Sequence, residues 1–492
     1  MRKKGFTLVE LLAVVIVLGI LGLISVVSIG NTLKRSRLRA KESLIEEVKE
    51  ATKKIIAEDM NNYLEPIPYC FTMDEIANSK HVIDDKIIDP TTNKKLNGVI
   101  VAKPYTVNYN IEYLDINACP YNETILNGAY PEITKGLIPV EIENDGTVKI
   151  ADISTEWYSY ENKKWANSVV INESVQNKYD NAKAGTEIKI NDIKMYLVWI
   201  PRYKYKNANA WTSTPAPFDI EFENINVDKS DGDVTSEYYT HPAFTFGEKE
   251  LPGFWAAKFE VTDLVGVGIN YGSIPNHYSS RFLKINELIE IIDSFNNYVL
   301  NHDVHIMKDS DWGAVAYLSY SKFGINGKVA NNHFYKHADK YDFGNLTGCG
   351  SLQDTNDFTE TCTNKFGTVD TYPQSTTGNI SGIFDMAGGF PEFTMGNFRN
   401  ILGESDLKKM PDEKYYNSYS TLHSKSENKG FAISETYNWF NDTTNYNNDN
   451  SSWSLKGGSY YSGDSSGIFS HMVYNGVISN FEFSTRFVLT QN

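Results

Sequence analysis

Positive charge is what this chain has least of for its length: 46 Lys and Arg stand against 62 Asp and Glu, a net charge of −16. That deficit argues against nucleic acid as a general partner, because phosphate recognition needs clustered cations. Cysteine is scarce too, with four residues in 492. None of the four forms a C-x-x-C pair and no His lies at zinc-finger distance, so a structural zinc is excluded. No P-loop, dinucleotide-binding, H-E-x-x-H or G-x-S-x-G motif is read in the chain, and with them go the common signatures of nucleotide, zinc-hydrolase and serine-hydrolase chemistry.

What is present points to an exported, folded protein. The chain is long enough for two or more domains, and at 41% hydrophobic residues it can bury substantial cores. Aromatics reach 13%, with 31 Tyr, a composition suited to a β-rich, loop-rich surface that stacks on sugars or packs on proteins. The cysteines fall in two local pairs, Cys70 with Cys119 and Cys349 with Cys362. Two loop-closing disulfides in an oxidising space fit the even count; four buried free thiols are the other reading.

The longest apolar run stands at the start, MRKKGFTLVELLAVVIVLGILGLISVVSIG. From Phe6 to Ile29 it is long enough to cross a bilayer as one helix. Glu10 is the one charge inside it, and a carboxylate at that depth costs about 2.5–3.5 kcal/mol on insertion scales, so it calls for a partner. Ordinary secretory signals have a shorter apolar core followed by a small-residue cleavage site, which is absent here. Arg2, Lys3 and Lys4 favour a cytoplasmic N-terminus, but Lys34, Arg35, Arg37, Arg39 and Lys41 crowd the other flank, so charge alone leaves orientation open.

The motif KKGFTLVE resembles the prepilin signal of type IV pilins and pseudopilins. The resemblance implies cleavage after Gly5 by a prepilin peptidase, N-methylation of Phe6, and a role for Glu10 in pairing with the terminal amine of a neighbouring subunit during assembly. It also implies a single-pass membrane protein that moves into a cell-surface filament with other pilin subunits.

Beyond the leader (1–5), helical spacing of Leu38, Leu44, Ile45, Val48, Ile55 and Ile56 carries the assembly helix over 6–61. Pro66 and Pro68 then end it. Residues 62–120 read as a small α+β head, with a short helix at Met73–Asn78 and strands near Gly98–Ala102 and Tyr105–Tyr113. With its D-P-x-x-N-x-x-x-x-G stretch at Asp89–Gly98, this segment resembles the heads of Gram-positive pilins, and the resemblance has Cys70 and Cys119 staple its two ends. Residues 121–193 read as a β-rich connector. Its Trp157, Tyr158, Tyr160 and Trp165 flank a turn at Glu161–Lys164 like a hairpin of cross-strand aromatics, a structural cluster rather than a ligand platform.

From 194 to 492 the blocks MYLVWIPRYKY, GFWAAKFEVT, MKDSDWGAVAYLSYSKFG, GNISGIFDMAGGFPEFTMGN, LKGGSYYSGD and STRFVL follow in order. Together they resemble the formylglycine-generating-enzyme (sulfatase-modifying factor) superfamily, a variant of the C-type-lectin-like fold. The strongest blocks are Gly382–Thr394 and Leu455–Tyr460. The aerobic enzyme needs two cysteines just after the G-G-S block, since thiolates suit Cu(I), and none is found there. No histidine triad replaces them: His302, His305, His333, His337 and His471 form no H-x-x-x-H-x-E run. His333 and His337, four apart, read as a solvated loop pair rather than a metal site. Within the best block Gly389, Pro391 and Phe393 stand where the family has Asn and two Trp. The same resemblance implies a structural calcium site with side-chain oxygens from Asp385 and Glu392 and backbone carbonyls from Gly388 and Phe390, oxygen donors being suited to that ion; hydrogen bonding of the two carboxylates to their own turn is the alternative. The segments 228–237 and 441–452 read as a polar turn and a flexible surface insertion.

The fold class expected is thus α+β: a long pilin helix with a small head, a β-rich connector, and a large lectin-like domain. The expected function is that of a minor pilin or pseudopilin that requires no cofactor, is not an enzyme, and binds a carbohydrate or protein ligand at the surface of a Gram-positive bacterium. An exported enzyme on the same scaffold and a pseudopilin of a secretion or DNA-uptake machine are the alternatives.

Overall fold

The computed structural model describes residues 8–58, 69–82, 87–105, 108–115, 119, 131–133, 136–179, 182–223, 238–263, 271–280, 285–286, 288–289, 292, 302–336, 344–350, 358–420, 429–476 and 483–491. In the first helix the side chains are described from Leu33 onward. The chain divides into two compact units, Met1–Pro120 and Tyr121–Asn492.

The first unit is built on one helix, α1 (Leu8–Glu58), of 51 residues and about 75 Å in length at 1.5 Å per residue. Gly5 and Phe6 lie outside the described residues, as does the carboxylate of Glu10. Among the described residues no helix is long and apolar enough to cross a membrane; the side chains of the apolar run are not among them.

The C-terminal part of α1 has a buried stripe. Val48, Ala51 and Ile56, with Leu44, Ile45 and Ile55 beside them, pack against Phe71, Met73, Ile76, Leu96, Ile100 and Ile111 of the head. The spacing is that of one helical face, which makes the head and the second half of α1 a single core. The head's strands β1 (Tyr69–Thr72), β4 (Val99–Tyr105) and β5 (Asn108–Leu114) form an antiparallel sheet in the order β1-β4-β5. The short helix α2 (Met73–Ala77) follows β1, and Thr72 with Glu75 closes a reciprocal cap at its start. Strands β2 (Ile88–Asp89) and β3 (Lys94–Lys95) form a hairpin. At its turn Asp89 Oδ1 accepts from Thr91 N and Oγ1 at 2.7 and 2.6 Å, while Oδ2 meets Lys41 of α1 at 2.9 Å. The Asp-Pro stretch therefore ties the hairpin to the helix. Cys70 is bonded to Cys119.

The second unit contains two main sheets. The residues read from sequence as a connector supply β6 (Ile138–Ile142), β7 (Val148–Ile150), β8 (Asn167–Ile171) and β9 (Glu187–Ile188) to an eight-stranded antiparallel sheet. Its order is His302–Ile306, Phe487–Gln491, Gly253–Ala257, β10 (Ile193–Pro201), β8, β6, β7, β9. Residues 121–193 are thus part of the large unit rather than a separate piece, because β8 is zipped along β10 from Ile171 to Asn167. Every residue of β10 is buried, as expected of a central strand covered on both faces. The second sheet joins Asn417–Tyr419, Glu392–Phe398, Trp453–Lys456 and His471–Tyr474, with Ser484–Thr485 beside Glu392. The helix Asp309–Ser319 is buried along its whole length, and its Asp309 accepts from Thr394 Oγ1 and Ser454 Oγ of that sheet. The architecture is mixed α and β, with one long helix and many short strands.

The aromatic hairpin is interior. Trp157, Tyr158, Tyr160 and Trp165 are at most 2% exposed, and Tyr160 OH donates to Trp199 O at 2.8 Å. Segment 228–237 lies outside the described residues.

Candidate functional site

The two strongest blocks of the large unit meet. Gly388 N donates to Gly457 O and Tyr460 N donates to Gly389 O, each at 2.9 Å. Gly388 and Gly389 both have positive φ, 71° and 70°, a region open to glycine at little cost. A Cβ on Gly389 would also collide with Glu260 Oε1. That is a physical reason for glycine at position 389.

Five buried ionic side chains hold this crossing. Arg486 lies under the Gly382–Thr394 block and uses its planar fork in two directions. Nη2 and Nε donate to Glu392 Oε1 and Oε2 at 2.6 and 3.1 Å, while Nη1 and Nη2 reach the carbonyls of Ala257 and Phe384 at 3.0 Å. Lys258 Nζ donates to Asn167 Oδ1, Ile380 O and Gly382 O. Asp385, itself at φ 60°, accepts Asn332 Nδ2 at 2.9 Å and Gly348 N at 2.9–3.0 Å. Glu260 Oε1 accepts Phe390 N at 3.1 Å.

Burial dominates the titration of this cluster. It pushes Glu260 well above the usual carboxylate range, with the charges of Glu392 and Asp385 adding to the effect. Burial likewise raises Asp385 to about 6 and Glu392 to about 7, opposed in both by Arg486. Burial thus favours the protonated form of Glu260 beside the Arg486–Glu392 pair.

Asp385, Gly388, Phe390 and Glu392 therefore share one turn, but as arranged they do not suit calcium. Both Glu392 oxygens face a guanidinium, both Asp385 oxygens face N–H donors, and a cation there would sit against Arg486. Among the described residues no group of three or more His, Cys, Asp or Glu gathers to hold a metal ion. The carboxylates bond protein groups around their turn, and the arrangement clamps the loop to the sheet.

Of the histidines considered from sequence, His302, His305, His333 and His471 are dispersed and buried. His333 Nδ1 lies 3.3 Å from Tyr460 O, His471 Nε2 lies 2.9 Å from Asn447 Oδ1, and His305 stacks on Phe246; His337 is outside the described residues. His333 is thus an interior group, where the sequence reading had it in a solvated loop. Cys349 is bonded to Cys362. Residues Gly463–Gly467 carry a G-x-S-x-G spacing that the sequence reading passed over. Ser465 sits there in a 3-10 turn and its Oγ donates to Ser462 O at 2.7 Å, unlike a nucleophile raised on a strand-to-helix elbow. Roles for Lys258, Glu260 and Arg486 were also missed. The available signal was a charge alternating with large apolar residues inside AAKFEV and STRFVL.

Comparison with known proteins bears on the other end of the chain. Residues 1–26 match the family model for the prokaryotic N-terminal methylation motif. The chain begins with a type IV pilin-like prepilin N-terminus. Such a motif implies processing by prepilin peptidase, assembly with other pilins, and passage from a membrane-anchored precursor to a surface or secretion structure. No curated protein matches the chain.

Proposed function

We propose that this chain is a minor pilin or pseudopilin that carries a large, non-catalytic ligand-binding domain to the cell surface. The observation that carries the reading is the methylation motif at residues 1–26, directly ahead of a helix that continues to Glu58 and forms a core with a small head. In this reading Phe6–Ile29 spans the membrane before assembly. Cleavage after Gly5 frees Phe6 for methylation, and Glu10 pairs with a neighbour's terminal amine, neutralising two charges that are costly in lipid.

The size of the second unit supports a rare subunit rather than a repeating shaft component. The resemblance of that unit to the formylglycine-generating-enzyme scaffold rests on the order of its sequence blocks, and the contact between the two strongest blocks is consistent with it. A non-catalytic role is supported by the missing cysteines after the G-G-S block and by carboxylates engaged with protein donors.

Mass spectrometry of the mature N-terminus, with and without the peptidase, tests the pathway. N-methylated Phe6 is the expected result, and a chain starting near residue 30 would overturn it. Immunogold labelling then separates a minor pilin from a membrane-bound pseudopilin: label at filament tips supports the former, label confined to the membrane the latter.

A further inference from the structure

Among the described residues three aromatic side chains are exposed: Phe358 at 39%, Tyr437 at 40% and Tyr461 at 62%. Phe358 and Tyr461 converge on one buried ring. Tyr460 is 8% exposed and stacks face to face on Tyr335, centroids 4.1 Å apart and planes 4° from parallel. Phe358 stands edge-on to both, 5.9 Å from each. Tyr461 stands edge-on to Tyr460 at 5.1 Å. Phe390, fully buried in the Gly382–Thr394 block, backs the pair at 6.4 and 6.2 Å. Edge-to-face packing of this kind holds rings at fixed angles.

The support beneath these rings is equally defined. Phe358 lies inside the loop closed by Cys349–Cys362. The next residue, Thr359, exchanges backbone hydrogen bonds with this region: Tyr335 N donates to Thr359 O, and Thr359 N donates to His333 O, both at 2.9 Å. On the other side, the turn after Tyr461 is fixed by Asn331 Nδ2 donating to Gly463 O at 2.7 Å. Two exposed rings on locked backbones lose little freedom when a ligand arrives.

We propose that Phe358, Tyr460 and Tyr461 form a stacking platform for a neutral carbohydrate, with the Cys349–Cys362 bridge as its positioning element. The inference deepens the proposed ligand-binding role of the second unit and rests on it. A sugar ring presents a flat face of C–H groups to an aromatic ring and hydroxyls at its rim. Here the rim is polar, with Ser462, Asp464 and Ser465 in the turn and Lys328 within 3.7 Å of Asp464. A protein partner wants a broader apolar core than two rings inside a polar rim. The net charge of −16 disfavours sulfated or otherwise polyanionic glycans.

The test is binding of the full-length, detergent-solubilised protein to an array of neutral hexose-containing, amino-sugar and sulfated glycans. Wild type, Tyr461→Ala, Phe358→Ala, the pair Cys349→Ser/Cys362→Ser and, as a control at an exposed ring outside the cluster, Tyr437→Ala are compared. We expect wild type and Tyr437→Ala to bind neutral glycans alike, and the first two variants to lose at least tenfold in affinity. The cysteine variant should weaken binding while far-UV circular dichroism stays unchanged. Tyr461 is exposed, so its truncation leaves the core intact and keeps the test open if Phe358→Ala misfolds. Absence of glycan binding, preference for sulfated glycans, Tyr461-independent binding, or Tyr461-dependent capture of a deglycosylated host protein in place of glycan would each overturn the proposal. Incorporation into filaments is scored separately. Its loss with glycan binding retained would defeat the pilin reading alone, and the converse would defeat the platform alone.

Discussion

Arg486 and Glu392 form a fully enclosed, two-bonded ion pair, the arginine 0% and the glutamate 1% exposed, joining the residue between strands Ser484–Thr485 and Phe487–Gln491 to the first residue of strand Glu392–Phe398. A buried pair of this kind is strongly destabilised when one partner is removed, because the other is left as an uncompensated charge. Arg486→Met should cost about 3–5 kcal/mol, read as a lower urea midpoint for the second unit. The double variant Arg486→Met/Glu392→Leu should recover most of that loss. If the double variant is as unstable as the single one, the cost comes from packing rather than from the stranded charge.

The protonated form of Glu260 is favoured first by burial and then by its carboxylate neighbours. Glu260→Gln should therefore change stability at pH 7 by less than about 1 kcal/mol, the order of one net hydrogen bond. Glu260→Ala removes the acceptor of Phe390 N and opens a cavity, and should cost more. Thermal unfolding of the two variants side by side checks the ordering; equal losses would count against a protonated Glu260.

Asp385 and Glu392 give the fold a pH dependence of known sign. Their folded values, about 6 and about 7, lie above the ordinary 3.8 and 4.5. The native state thus holds these protons more tightly than the unfolded chain. Their contribution to stability is full below about pH 4 and is lost as pH rises through 6 to 7. Relative to Asp385→Asn/Glu392→Gln, wild type should be favoured most near pH 5, and its advantage should shrink toward pH 8. Melting temperatures of both proteins across that range provide the measurement, and an advantage that grows with pH would contradict the raised values.

The bridge Cys70–Cys119 closes a loop of 49 residues across the head. A loop of that length implies about 4 kcal/mol from chain entropy. Replacing both cysteines by serine should make the first unit sensitive to protease at a temperature where wild type resists. The Tyr121–Asn492 fragment pattern should stay unchanged. Cleavage throughout the chain would show that the bridge supports more than the head.

Glu10→Gln isolates the charge role in assembly. Cleavage after Gly5 should proceed as in wild type, whereas recovery of the subunit in sheared filaments should fall at least tenfold. Immunoblots of membrane and filament fractions report both. Normal incorporation would remove the amine-pairing role of Glu10.

Much of the local structure was readable in the residues. The stripe Leu44, Ile45, Val48, Ile55, Ile56 announced a buried helical face, and the structure packs it on the head. The expected Met73–Asn78 helix appears as Met73–Ala77 with Asn78 as its cap. Where the reading stopped short was wherever partners are far apart in sequence. Residues 121–193 looked like a connector because strand patterns name no pairing partner, yet β8 lies against β10. Asp385 and Glu392 looked like cation ligands because spacing cannot show that Arg486, 94 residues beyond Glu392, occupies the second carboxylate.

By itself, then, the sequence determined the N-terminal processing signal, the long helix and the pattern of short strands, since each depends on residues within a few turns or one alternating run. Only the tertiary structure decided that the aromatic hairpin is core, that the carboxylates clamp a loop, and that Phe358 and Tyr461 both pack edge-on against Tyr460. Those outcomes depend on which distant groups meet once water is excluded: a buried charge takes whatever counter-charge and carbonyls the fold delivers, and a ring is exposed or buried according to what packs above it.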